Sequence, residues 1–372
     1  MSYYVLPKIN NTIIVNPNSS DNNFNPYISY SLFNYYSEMH NQVLSIYSNN
    51  DSHLTRNKYD ELIKIVNPYE YIFSTVPGSK FSVSKLNPKS NIFYDFLEVC
   101  VTLNIFDLYK TENIKTLHIT NQHNDTIECF EMLRENFEDE IYSYNEINDQ
   151  NINLISDTKF NFLFFEAKTD NLNQYIISLI KFLLIIFRNQ SANGSCVIKI
   201  NEVFHKPIID VIYILSSLYE KTYILKPNTS NITTFDKYIV CKNFQINKDK
   251  VTNLKLNYFK LIVFLKKLDN KKISSIIDYE IPYYFKVKLN DINIIFGQQQ
   301  LESLDLAINI FKNKNKDEKI ETIKKINIQK SVAWCEKYKI PCNKFSEKIN
   351  IFLPINKQDN KEDIIETNEE ML

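Results

Sequence analysis

Lys199 is the residue hardest to account for by packing alone. It stands in GSCVIKI, residues 194–200, where a glycine turn enters an apolar strand. An ammonium pointing inward from such a strand is costly unless it is paired or has a function. Groups whose ionisation is shifted by burial are also those that enzymes use to move protons. Glu166 closes a second apolar run, NFLFFE at 161–166, and so stands at the carboxyl end of a buried strand. A third segment, EKTYILKPNTSNITTFDKYIVCKNF at 220–244, joins a strand, a Lys226-Pro227 turn, a Ser/Thr-rich loop carrying Asp236, and another strand. Lys85 precedes a helix, where a solvated lysine is as ordinary as a functional one. His118, His123 and His205 have no metal-type partner at fixed spacing, and no Cys/His or Ser/His/Asp constellation is visible.

The elements that must position these groups follow from periodicity. Residues 95–106 carry apolar positions at helical spacing, and 115–120 (KTLHIT) reads as a strand. Then follow a helix over 126–136, strands at 141–144 and 161–166, a helix over 171–187, a strand at 196–200, a helix over 207–218, and strands at 221–225 and 238–241. Strands alternating with helices in such short units predict an α/β fold with a mostly parallel sheet covered on both faces. In such sheets ligands bind beyond the carboxyl ends of the strands. Residues 1–64 read as an irregular or weakly helical arm. Residues 246–355 read as a mostly helical extension, with helices over 254–268, 299–312 and 317–338, and 356–372 as a polar, acidic, disordered tail. The longest apolar run, 176–187, is interrupted by Lys181 and is shorter than the roughly 20 residues a bilayer span needs.

Composition narrows the possible partners. The chain has 372 residues with 43 basic and 44 acidic side chains, a net charge of −1, so nothing pulls it globally toward nucleic acid or membrane. The 312–325 stretch KNKNKDEKIETIKK could track a phosphate backbone, but Asp317, Glu318 and Glu321 make it read better as a salt-bridged solvent face. Six scattered cysteines without a CxxC, of which Cys335 and Cys342 could be neighbours, read as reduced core residues, and the first residues lack a secretory pattern. The chain holds 3 glycines against 24 tyrosines and 25 phenylalanines, which rules out glycine-built architectures. AT-rich codon usage would account for part of that scarcity.

The order of a glycine turn, a strand with a late lysine, and a later Lys-Pro segment resembles the FtsJ-like family of RNA ribose 2′-O-methyltransferases. The family's KPxxSRxxSxExYxV segment is matched here by Lys226, Pro227, Ser230 and Tyr238, with Asn231 at its arginine and Asp236 at its glutamate. Residues 76–99 (VPGSKFSVSKLNPKSNIFYDFLEV) resemble its entry segment, and similarity extends through FGQQQLESLDLAINIF and IQKSVAWCEKYKIP, covering about 60–345. The likeness is greatest to the FtsJ-like proteins of large cytoplasmic DNA viruses.

That resemblance implies a Rossmann-like methyltransferase fold over 65–245, S-adenosylmethionine as cofactor, and RNA, capped mRNA included, as partner. It also implies a Lys-Asp-Lys-Glu tetrad at the 2′-hydroxyl, which falls here on Lys85, Glu166, Lys199 and Asp236. The family's glycine-rich cofactor turn falls on Asn121, Gln122, Asn124 and Asp125, with no glycine, and Glu146 stands where a carboxylate would take the ribose hydroxyls. Two functions are therefore expected as alternatives. One is a 2′-O-methyltransferase; the other is a catalytically dead methyltransferase fold serving as an RNA-binding or scaffold subunit of a viral transcription or mRNA-processing complex. Either would act in the cytoplasm or the virion.

Overall fold

Apolar runs rich in β-branched and aromatic residues build a seven-stranded sheet in the computed structural model. The model describes residues 2–48, 63–120, 124–155, 157–167, 169, 171–246, 248–268, 271–312 and 317–343. In chain order the strands are β1 (Tyr3–Val5), β3 (Lys115–Ile119), β4 (Glu140–Tyr144), β5 (Phe160–Glu166), β6 (Gln190–Ile200), β7 (Tyr219–Leu225) and β8 (Lys237–Phe244), arranged β1-β7-β8-β6-β5-β3-β4. β4, β3, β5 and β6 are mutually parallel, whereas β8 runs antiparallel between β6 and β7. β2 (Asn18–Ser20) pairs with β9 (Lys272–Ser275) in a separate ribbon.

Alternation along the strands divides the core in two. Leu163, Phe165, Ile198, Ile200 and Ile239 face α5 (Leu172–Asn189), α6 (Lys206–Leu218) and part of α7 (Lys248–Lys266). Phe162, Phe164, Val197, Tyr238 and Val240 face α2 (Ile92–Thr102), α3 (Asp125–Leu133) and α9 (Asp317–Lys337). A short α4 (Asp149–Leu154) links β4 to β5. With helices on both faces of a mostly parallel sheet, the fold is the expected α/β, Rossmann-like one. α5 is the one described helix long and apolar enough to cross a membrane, and most of it is buried against the sheet.

The N-terminal region is not an arm apart. β1 extends the central sheet by pairing with β7, β2 pairs with β9, and α1 (Tyr30–Ser48) packs on α8 (Tyr283–Lys312). The expected helix over 299–312 is the second half of this much longer α8. Its first half buries Phe285, Leu289, Ile292 and Phe296 at helical spacing. Gly297 lets α1 approach closely: a Cβ there would lie 2.5 Å from the Leu32 side chain. Residues 356–372, expected to be a disordered tail, lie outside the described residues.

Candidate functional site

Three strands deliver charged side chains to one place at the carboxyl edge of the sheet. Glu166 is the last residue of β5 and pairs in register with Lys199 near the end of β6, which in turn pairs with Tyr238 on β8. Directly opposed residues share a face. Lys199 Nζ accordingly lies 3.0 Å from Glu166 Oε1, with the two side chains 21% and 16% exposed. Burial lowers the Lys199 pKa, but the carboxylates of Glu166, Asp236 and Asp95 outweigh it, leaving the pKa above its ordinary value.

Asp236 precedes β8 and shares the Tyr238 face by the two-residue period. It accepts from the Thr234 hydroxyl and pairs at 3.5 Å with Lys226 Nζ. Burial opposes its ionisation, yet Lys226 and Lys199 hold its carboxyl below the usual range. Lys226 also donates to the carbonyls of Thr234 (2.8 Å) and Asp236 (3.0 Å), and burial leaves its pKa below the ordinary lysine value.

A third carboxylate, which the family pattern does not include, comes from α2. Asp95 accepts from Thr229 Oγ1 at 2.5 Å and from the Tyr238 hydroxyl at 3.2 Å, and is buried. Burial pushes its pKa up to about 7 despite the Lys199 charge and the Thr229 hydrogen bond. One turn along, Glu98 accepts from the backbone N–H groups of Asn228 (2.9 Å) and Thr229 (3.4 Å), so α2 and the Ser/Thr loop are fastened together. The sequence signal was available: two carboxylates three residues apart inside the apolar helix FYDFLEV, where solvated acids are out of place.

Lys85 is not in this cluster. It is exposed, its backbone N–H donates to Pro341 O at 2.8 Å, and its charge acts on Cys342 instead. The reason is the path of the chain. Ser84 forms a β-bridge with Cys342, which pulls the segment toward the end of α9 before α2 begins. The site is therefore Asp95, Glu166, Lys199 and Asp236, with Lys226 behind Asp236. It holds three carboxylates rather than two.

A cavity of about 320 Å³ lies beyond the ends of β3, β4 and β5, where the resemblance leads one to expect the cofactor. Glu146 and Glu166 line it together with Asn145, Thr169, Gln174 and Ser178. Glu146 is exposed there, as a ribose-hydroxyl ligand would need to be. Asp125 does not line this cavity. It opens α3 and accepts from Lys89 N at 3.2 Å and from the Ser90 hydroxyl, so it ties down the segment leading into α2. Asn124 is exposed at the helix cap and makes no side-chain capping bond. Asn121 and Gln122 lie outside the described residues. A carboxylate pair and polar lining at the strand ends fit a cofactor carrying both ribose hydroxyls and a cationic sulfonium.

Among the described residues no His/Cys/Asp/Glu group is arranged to hold a metal. His118 is a core histidine, ringed by Phe96, Phe130, Phe162 and Phe164, with Nδ1 3.2 Å from Thr126 Oγ1. Burial drives its pKa down to about 3, so it is neutral. His205 pairs with Glu202 at 2.6 Å.

No family model matches the chain. Over 119 residues it is 24% identical to a cap-specific mRNA (nucleoside-2′-O-)-methyltransferase 1 of Leishmania braziliensis, a stretch covering 31% of this chain and 29% of that protein. The chain thus spans less than a third of that relative's length. Among solved structures, it resembles human methyltransferase-like protein 13 in complex with SAH at 8% identity, covering 46% of this chain and 93% of that one with a TM-score of 0.29. It also resembles phosphoethanolamine N-methyltransferase 2 of Haemonchus contortus in complex with S-adenosyl-L-methionine, at 10% identity, 41% and 38% coverage and a TM-score of 0.26. The sequence likeness and the α/β architecture support a methyltransferase-family protein; the structural likenesses are too slight to add to that.

Proposed function

We propose that the chain is an FtsJ-like, S-adenosylmethionine-dependent methyltransferase acting on a ribose 2′-hydroxyl of RNA, capped mRNA included. The observation that carries this reading is the convergence of Glu166, Lys199 and Asp236 from β5, β6 and the entry to β8 at the sheet edge, beside a cavity lined by Glu146. Glu146 would take the cofactor's ribose hydroxyls, Glu166 would stand between cofactor and acceptor, and the cofactor would supply an electrophilic methyl group. The test is calorimetric titration with S-adenosylmethionine and S-adenosylhomocysteine, followed by methyl transfer to capped and uncapped RNA oligonucleotides. Micromolar binding, weakened about tenfold or more by Glu146→Ala, is the expected result. Absence of binding at millimolar ligand sinks the reading.

One observation favours a second reading, a non-catalytic RNA-binding or scaffold subunit of a viral transcription or mRNA-processing complex. Residues 121–125 contain no glycine, and Asp125 is engaged within the fold rather than turned to the cavity. RNA binding that survives with no cofactor binding would select this alternative.

A further inference from the structure

We infer that in this site Glu166 receives the proton of the acceptor hydroxyl, while Lys199 is a permanently charged ammonium that positions it. The inference rests on the 2′-hydroxyl reading above and assigns roles within it.

Lysine serves as a base only after losing its own proton, which requires nearby positive charge or an apolar surround. Lys199 has the opposite setting. Glu166 contacts it from β5 at 3.0 Å. Asp236 acts on it from the entry to β8, and Asp95 from α2 through the face that carries Tyr238. Lys226, a cation close enough to counter these three, is held by Asp236 and by two backbone carbonyls.

Glu166 has what an acceptor requires. Of Asp95, Glu166, Lys199 and Asp236, it alone lines the cavity beyond β3–β5. Its Oε1 takes the Lys199 hydrogen bond, and Oε2 has no hydrogen-bond partner among the described residues. The proton balance is simple. With a bound cofactor supplying the methyl group and being left as a neutral thioether, Glu166 would take the proton that the acceptor oxygen gives up as its bond to that methyl forms. The carboxylic acid so formed then loses its proton to water. Lys199 keeps its own proton throughout.

Two measurements decide it, one of which needs no activity. In the full-length protein labelled with 13Cε-lysine, the Lys199 signal, assigned by its loss in Lys199→Arg, should stay in the ammonium position up to at least the ordinary lysine pKa of about 10.4. Titration well below that value overturns the proposal. In methyl transfer to RNA, Glu166→Gln should cost about a hundredfold or more, the usual scale for removing a proton acceptor. Lys199→Arg should turn over at least about tenfold faster than Lys199→Met, because guanidinium keeps the charge and cannot act as base. Arg and Met variants equally inactive would overturn it. If the wild-type protein transfers no methyl group to any RNA, the 2′-hydroxyl reading fails, and the NMR titration still decides the state of Lys199.

Discussion

Lys226 closes the loop that it begins. Its Nζ reaches ten residues along the chain to Asp236, taking both that residue's carbonyl (3.0 Å) and its carboxylate (3.5 Å). The Ser/Thr-rich segment between them is thereby drawn into a ring whose outer side is covered by α1 and α8, through the Tyr36 hydroxyl on Thr233 O and the Gln300 amide on Thr234 O. Lys226→Met should therefore cost roughly 3 kcal/mol, because it removes the cation paired with a buried Asp236 and leaves only Lys199 and the Thr234 hydroxyl to balance it. Adding Asp236→Asn should recover part of that loss. Urea unfolding of the two variants measures it; additive losses would mean the pair is not coupled.

Asp95 makes stability depend on pH. Its pKa is about 7 in the folded protein against 3.8 for an exposed carboxyl, so the native state holds a proton that the unfolded chain releases. The contribution is complete below about pH 4 and is lost as pH rises toward 7. At about 1.4 kcal/mol per unit, this is on the order of 4 kcal/mol. Asp95→Asn, which keeps the shape, should flatten that part of the stability profile. Equal pH slopes in wild type and variant would refute the assignment.

His118 acts in the acid range. With its pKa depressed to about 3 from 6.5, its neutral form stabilises the fold above about pH 6.5, and that contribution is lost as pH falls toward 3. His118→Phe should move the acid-unfolding midpoint to lower pH, since the ring cluster around it is already built from phenylalanines. An unchanged midpoint would mean that other groups govern acid unfolding.

Lys237 is a cost to the fold at neutral pH. It is fully buried, donating to Phe235 O at 3.1 Å with its ammonium near the Phe235 and Phe296 rings. Burial, with Lys226 nearby, brings its pKa down to about 7 from 10.5, so the native state prefers the neutral amine. Stability from this group is full above about pH 10.5 and falls as pH drops through 7. Lys237→Met keeps the methylenes and should raise thermal stability at pH 6 by on the order of 1–4 kcal/mol. The gain should shrink toward pH 10.

The sequence made some of this legible and hid the rest for physical reasons. β5 and the second half of β6 are legible because they are short apolar runs, and β3 through its β-branched and apolar residues; Glu166 and Lys199 stand out because charge at the end of an apolar run has few bland explanations. The α2 carboxylates were equally out of place, but the family pattern drew attention to Lys85, whose position depends on a bridge to Cys342 some 250 residues on. No local pattern could reveal that contact. Likewise β1 is three residues long and owes its existence to β7, a partner that appears only after residue 218.

That late partnership sets an order of events. β1 pairs with 223–225, β2 with 272–275, and α1 rests on a helix that ends at residue 312. β1, β2 and α1 therefore have no partners close in sequence, and they settle only once the distant strands and the helix they pack on are in place.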